Sequence, residues 1–319
     1  MFELIFLGTS AAAPTIYRGL TSQMVLANEH RFLIDCGEGT QRQILKSGLG
    51  FKRLQNILLT HAHLDHILGL GGLISTLTRW ENLEGIDIWA GAATLRRVHN
   101  LIHEVVFIGQ TPPIPLELIA LNGGPFFEDK KFSVSAFPVR HQGPDNFGFV
   151  FEEHPHRPFL AEKADALGIP AGPERGQLVA GHSFTLPDGR EVLPDEVLGE
   201  AQPGVKYVHV GDCGDTENLY EIAAGADCLV MEATYIDEDI DMARQFGHMT
   251  AGSAARFARE VGVKTLILNH ISRRNREHEL RDEAQAIFPD TFVARDFDHF
   301  IISKGKPVTK VEATVSLED

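Results

Sequence analysis

Cysteine is scarce in this 319-residue sequence: Cys36, Cys213 and Cys228 are odd in number and form no spaced pair. That leaves no disulfide framework to read and fits a reducing compartment, with each thiol filling core space. No apolar run reaches bilayer-spanning length, and residues 1–8 read as a strand without the basic start of a leader. The expectation is a cytoplasmic protein with no membrane partner. Positive charge is short as well, with 29 Lys and Arg against 44 Asp and Glu, a net −15. This balance argues against nonspecific nucleic-acid binding, whose footprint is basic. It still allows a local positive site built on bound ions. The acidic tail 311–319 reads as solvated.

What is present is an ordinary globular composition, 43% hydrophobic and 23% charged, sufficient for a sizeable core. Apolar patterning predicts strands at 2–7, 24–27, 32–35, 54–59, 86–89, 116–120, 132–139, 205–210, 228–231, 265–268, 291–294 and 299–302. Helices are expected at 39–45, 65–80, 92–106, 250–261 and 277–287, the second weakened by Gly69, Gly71 and Gly72. Residues 154–204 break this rhythm with seven of the 16 prolines, seven glycines and no long apolar periodicity. Such a stretch reads as an arm, a lid or a linker.

The densest chemistry lies in His61-Ala62-His63-Leu64-Asp65-His66, directly after the apolar run 57–59. Imidazole and carboxylate suit Zn²⁺ or a similar divalent ion. In an extended loop, His61 and His63 point the same way and can grip one ion. Asp65 and His66 fall where the chain turns into a helix and face elsewhere, so two metals are expected, a common device for hydrolysing phosphate and acyl bonds. Three further strand-like runs end at potential ligands: 137–140 at His141, 208–211 at Asp212 and 266–269 at His270. Loops at strand ends are where rigid elements aim functional side chains. Asp212, with two oxygens, can bridge both ions.

His61-x-His63-x-Asp65-His66, followed by His141, Asp212 and His270, resembles the ligand series of the metallo-β-lactamase superfamily. Further motifs narrow the resemblance to the ribonuclease Z family, endonucleases that trim tRNA 3′ ends. They are Phe6-Leu7-Gly8-Thr9-Ser10 with Pro14-Thr15, Asp35-Cys36-Gly37-Glu38-Gly39-Thr40-Gln41, Gly168-Ile169-Pro170-x-Gly172-Pro173 and Leu186-Pro187-Asp188-Gly189-Arg190. The match covers residues 1–303.

The resemblance implies an α/β fold: a four-layer αβ/βα sandwich of two mixed sheets, metals at one edge. One domain would span 1–319, with 154–204 as an inserted flexible arm that holds tRNA, often across a homodimer. It implies two Zn²⁺ per chain, with Mn²⁺ or another divalent ion as alternatives. His61, His63 and His141 would hold the first ion, Asp65, His66 and His270 the second, with Asp212 bridging. Asp65 would orient the attacking water and accept its proton. His248, supported by Glu232, would protonate the leaving ribose oxygen. The implied activity is hydrolytic removal of 3′ trailers from precursor tRNA, leaving 5′-phosphomonoesters. An alternative is a phosphodiesterase of the same fold acting on small phosphodiesters or another RNA. Several positions depart from the family pattern: Met231 stands for a usual His, Met249 for Ser, Cys213 for Thr and Gly19 for a common Asn. The arm is also acidic, with four basic residues against eight acidic ones.

Overall fold

The computed structural model describes residues 1–80 and 83–311, so the tail reading for 312–319 lies outside the described residues. The described chain divides into two compact units, 1–152 with 205–311, and 153–204. In the first unit, two mixed sheets form the centre. One has the strand order Thr309–Val311, His299–Ile302, Phe2–Gly8, Ser22–Ala27, His30–Ile34, Asn56–Leu58, Ile86–Ala90 and Leu116–Ala120. Pairing along it is antiparallel as far as His30–Ile34 and parallel beyond. The other runs Thr291–Val293, Leu266–Asn269, Cys228–Glu232, Lys206–His209, Phe147–Glu153, Phe132–Pro138 and Gly124–Glu128. Its first four strands are parallel, and Lys206–His209 pairs antiparallel with Phe147–Glu153.

Phenylalanine fills the space between the sheets. Phe2, Phe6, Phe32, Phe132, Phe149, Phe151 and Phe300 are all buried there with Tyr207. The phenylalanine rings meet edge to face, as Phe32 and Phe151 do at 5.3 Å, and Tyr207 stacks on Phe151 at 5.6 Å, both arrangements that aromatic quadrupoles allow. The outer faces bury separate cores under helices. Leu70–Trp80 and Ala92–Asn100 cover the first sheet through Leu73, Ile74, Leu77 and Val98. Ala251–Val261 covers the second through Ala254, Ala255 and Ala258, whose small side chains let its backbone approach the strands. Strands such as Cys228–Glu232 are buried throughout, as expected where both faces of a parallel sheet are covered. The layers are αβ/βα, as the resemblance implied.

Three expectations are corrected. The helix expected over 65–80 is two helices, Leu64–Ile67 and Leu70–Trp80. Its break serves backbone packing: Gly69 N–H donates to the Cys36 carbonyl, and a Cβ on Gly69 would lie 2.0 Å from the Gly37 oxygen. Two strands of the second sheet, Gly124–Glu128 and Phe147–Glu153, escaped the pattern because Pro125 and Gly148 interrupt it. The insert is not structureless. Residues 153–204 fold three helices, Ala161–Ala166, Pro173–Val179 and Pro194–Val197, and a short hairpin, Phe184–Thr185 with Glu191–Val192. They close around Ala164, Ile169, Leu178, Leu186, Val192 and Val197. Those apolar residues come from short elements separated by turns, so no single stretch shows periodicity.

Candidate metal centre

Every expected ligand stands just beyond a strand or opens the helix that follows. His61 and His63 follow Asn56–Leu58, and Asp65 and His66 lie in the helix Leu64–Ile67. His141, Asp212 and His270 follow Phe132–Pro138, Lys206–His209 and Leu266–Asn269, and Glu232 is the last residue of its strand. The structure gathers all seven expected ligands into one cluster in two groups, His61, His63, His141 and Asp212, and Asp65, His66 and His270.

Asp212 divides its carboxylate between the groups. Its Oδ2 lies 3.6 Å from His61 Nε2 and 3.7 Å from His141 Nε2. Its Oδ1 lies 3.5 Å from His66 Nε2 and 3.4 Å from His270 Nε2. Asp65 Oδ2 is 3.4 Å from His270 Nε2 and 3.7 Å from His66 Nε2. These separations are longer than ordinary hydrogen bonds, the Asp65–His270 contact at 3.4 Å being a long one, as expected of ligand atoms placed to share an ion.

A ring of acceptors fixes the imidazoles. His66 Nδ1 is 2.8 Å from Asp35 Oδ2, which also accepts from Thr60 Oγ1. His61 Nδ1 meets Thr60 Oγ1 at 3.0 Å, His141 Nδ1 the Gly247 carbonyl at 2.7 Å and His270 Nδ1 Thr234 Oγ1 at 2.9 Å. With Nδ1–H donating outward, each Nε2 presents its lone pair inward, the arrangement typical of metal-binding histidines. His63 is the exception, since its Nδ1 faces the cluster, 3.4 Å from His141 Nε2. Strain accompanies this order. Asp35 and His270 hold left-handed backbone at φ 58 and 56, as does Ala12 at φ 58, whose amide donates to Asp65 Oδ2 at 2.8 Å. Such non-glycine conformations are costly and collect at functional sites.

Charge in the cluster matches a cation. Burial and neighbouring imidazoles hold His61 well below the usual histidine range, and burial lowers His63 and His141. Asp65 is held well below the carboxylate range: burial opposes its charge, but the His270 hydrogen bond and the nearby imidazoles prevail. Asp212 is held low against burial by His270 and His66. His66 moves upward, since Asp212 and Asp35 outweigh its burial. A proton is thus drawn to the place where a divalent cation would neutralise the same carboxylates. His61 Nε2 and Asp212 Oδ1 are buried without a hydrogen-bond partner, a costly state for polar atoms unless an ion satisfies them. The donor set therefore fits divalent metal.

Glu232 and His248 stand beside the cluster. Glu232 Oε1 accepts from His248 Nδ1 at 2.8 Å and from the Cys213 amide at 2.7 Å, while Oε2 accepts from Thr234 Oγ1 at 2.6 Å. Against its burial, Glu232 raises His248 to about 9. Although His248 lies close to Asp212 and His270, its Nδ1 is committed to Glu232.

A model of the beta-lactamase superfamily domain matches residues 30–165 and 176–271. The chain is 46% identical over 302 residues to a ribonuclease Z of Bradyrhizobium diazoefficiens, covering 95% of this chain and all of that protein. It is 37% identical to a ribonuclease Z of Methanothermobacter thermautotrophicus, over 93% and 95% of the two chains. The chain belongs to the ribonuclease Z family. The crystal structure of human tRNase Z, short form, superposes with a TM-score of 0.66 at 25% identity, covering 94% of this chain and 99% of that one.

Within the ribonuclease Z family, the departures noted in this sequence place no side chain among the clustered histidines and aspartates. Met231 and Met249 are buried in the core beneath the helices of the second sheet. Cys213 meets Glu232 through its backbone amide, a contact that any residue but proline supplies. Sequence reasoning missed the partners that orient the ligands: Asp35, Thr60, Thr234, the Gly247 carbonyl and the Ala12 amide. Asp35 opens a noted motif, but no signal linked it to His66.

Proposed function

We propose that this protein is a metal-dependent endoribonuclease that removes 3′ trailers from precursor tRNA. Among the geometric observations, the divided carboxylate of Asp212 carries the reading, because it gives one buried oxygen to each of two histidine groups. His61, His63 and His141 would hold one Zn²⁺ or Mn²⁺ and Asp65, His66 and His270 a second, with Asp212 shared. Ions bound there would supply Lewis-acid charge and lower the pKa of water to about 7. Asp65, kept ionised and held by the Ala12 amide, orients the attacking water and receives its proton. The P–O3′ bond breaks on the opposite side of phosphorus, and His248, oriented by Glu232, gives its Nε2 proton to the departing oxygen. The products are a tRNA with a 3′-hydroxyl and a trailer with a 5′-phosphate.

In this reading, residues 154–204 are the tRNA-holding arm and the active form is a cytoplasmic homodimer. Family membership supports both, and among the described residues no helix is long and apolar enough to cross a membrane. One observation favours the second reading, action on small phosphodiesters or another RNA. Arg157 and Arg175 in the arm are already paired with Asp195 and Asp165, which leaves less charge for phosphate. Cleavage of precursor tRNA and bis-p-nitrophenyl phosphate by zinc-loaded protein, side by side, separates the two. A tRNA product ending at the discriminator base supports the first reading. Turnover of the small ester alone overturns it.

A further inference from the structure

A groove of about 320 Å³ adjoins the acid–base pair, walled by His248 itself with Gly214, Tyr220, Arg244, Thr250 and Arg256. Chemistry restricts what can occupy it. His248 Nδ1 is held by Glu232, so only Nε2 can release a proton to the substrate. The oxygen that takes this proton belongs to the 3′ end of the upstream nucleoside, which must therefore lie against His248. In-line displacement puts the attacking water and the leaving oxygen on opposite sides of phosphorus, so Asp65 and the Ala12 loop face the other flank.

The walls of the groove suit a nucleotide. Tyr220 is 44% exposed, yet its ring is braced edge-on by Phe257 at 5.2 Å and its hydroxyl donates to Glu260 at 2.6 Å. A fixed aromatic ring is a low-entropy platform for a base of any identity. Two cations, Arg244 and Arg256, line the groove with two carboxylates, Asp215 and Glu260, which are engaged by Arg140 and by the Tyr220 hydroxyl. Arg256 is tied to Asp237 by two hydrogen bonds. Among the described residues, Arg244, with 75% of its side chain exposed, makes only a 3.8 Å ion-pair contact, with Asp241. Its charge remains available to a phosphate.

We propose that this groove, along the helices Ile240–Phe246 and Ala251–Val261, binds the nucleotide whose 3′-oxygen departs. For precursor tRNA this is the last nucleotide of the product. Tyr220 stacks on its base and Arg244 meets its 5′-phosphate. The proposal fixes the direction of the RNA across the site, and it rests on the reading of His248 as the leaving-group acid.

The test compares precursor tRNA with bis-p-nitrophenyl phosphate, which carries no nucleoside on its leaving side. Tyr220→Ala should lower the ratio of precursor to small-ester kcat/KM by about tenfold or more, the scale of one lost stack. Tyr220→Phe, which keeps the ring, should restore the ratio. Arg244→Ala should raise KM for the precursor and flatten its salt dependence. A wild-type ratio in both Tyr220→Ala and Arg244→Ala would overturn the proposal, as would equal losses on both substrates. A precursor with sulfur in place of the bridging 3′-oxygen separates this from failure of the acid reading, since a thiolate leaves without a proton. On that substrate His248→Ala should recover its rate while Tyr220→Ala stays impaired. If His248→Ala does not recover, the acid assignment falls. If Tyr220→Ala recovers, the groove assignment falls.

Discussion

Glu232 links three residues beside the cluster, and its two oxygens serve different tasks. Oε1 orients His248, while Oε2, through the Thr234 hydroxyl, fixes the ring of His270. His248→Ala should slow single-turnover cleavage by roughly 10²–10⁴-fold, the usual cost of a lost general acid. Glu232→Ala combined with it should be little worse, because groups that act as a unit are not additive. Near-additive losses in the same assay would separate the two residues. Thr234→Val leaves the His248 contact in place but removes the acceptor of His270 Nδ1–H. Metal affinity, read by chelator competition, should weaken by about 10–100-fold. The residues that cluster were legible in the sequence because histidine and aspartate carry chemistry wherever they stand, and four of them share one short run. Thr60, Thr234 and Asp35 were not, because their task is to aim another residue's ring, and a hydroxyl or carboxylate used that way has no spacing signature.

At the level of elements, the loop holding Cys36 and Gly37 locks the ligand-bearing helix. Cys36 N–H donates to the His66 carbonyl, Gly69 N–H returns to Cys36, and a Cβ on Gly37 would sit 2.5 Å from the Asp65 carbonyl. Gly69→Ala must push backbone against backbone, since no flexible side chain stands there to yield. We expect a loss of about 1–3 kcal/mol or more in urea unfolding, the range of overpacked interiors, together with weaker metal binding. The sequence offered Gly69, Gly71 and Gly72 as signs of a weak helix, and the structure breaks it at Gly69. Buried strands with continuous apolar runs were readable. Phe147–Glu153 was not, because Gly148 packs where a Cβ would meet Phe137 and the His209 carbonyl.

Across the whole molecule, the cluster draws His61, His63, Asp65 and His66 from the end of the first sheet and the remaining ligands from the second. Chelation should abolish hydrolysis while circular dichroism stays native, because the inter-sheet core does not depend on metal. Readdition of zinc should raise the melting temperature with concentration, by about 2.7 kcal/mol of stability at a hundredfold excess over Kd. The insert can be tested at the same scale. Glu152 and Lys206 are register partners, so the body's chain leaves and re-enters at neighbouring strands. Replacing 154–203 by a short Gly-Ser turn should leave metal content and small-ester turnover in place and weaken precursor binding. Unchanged tRNA affinity would remove the insert from substrate recognition. Its folded core was illegible in sequence, because short elements between turns show no period.

Because the clustered side chains come from both sheets, an ion held by His61, His141 and Asp212 would tie together chain segments far apart in sequence. Contacts of such separation form late, after the entropy of closing long loops has been met. Metal should then act on the way out of the native state rather than on the way in. In kinetic experiments, zinc should leave the refolding rate nearly unchanged and slow unfolding, as stabilisation absent from the transition state does. The lifetime of the folded molecule would then follow the local supply of divalent ion, and a chelator would shorten it without breaking a single core contact.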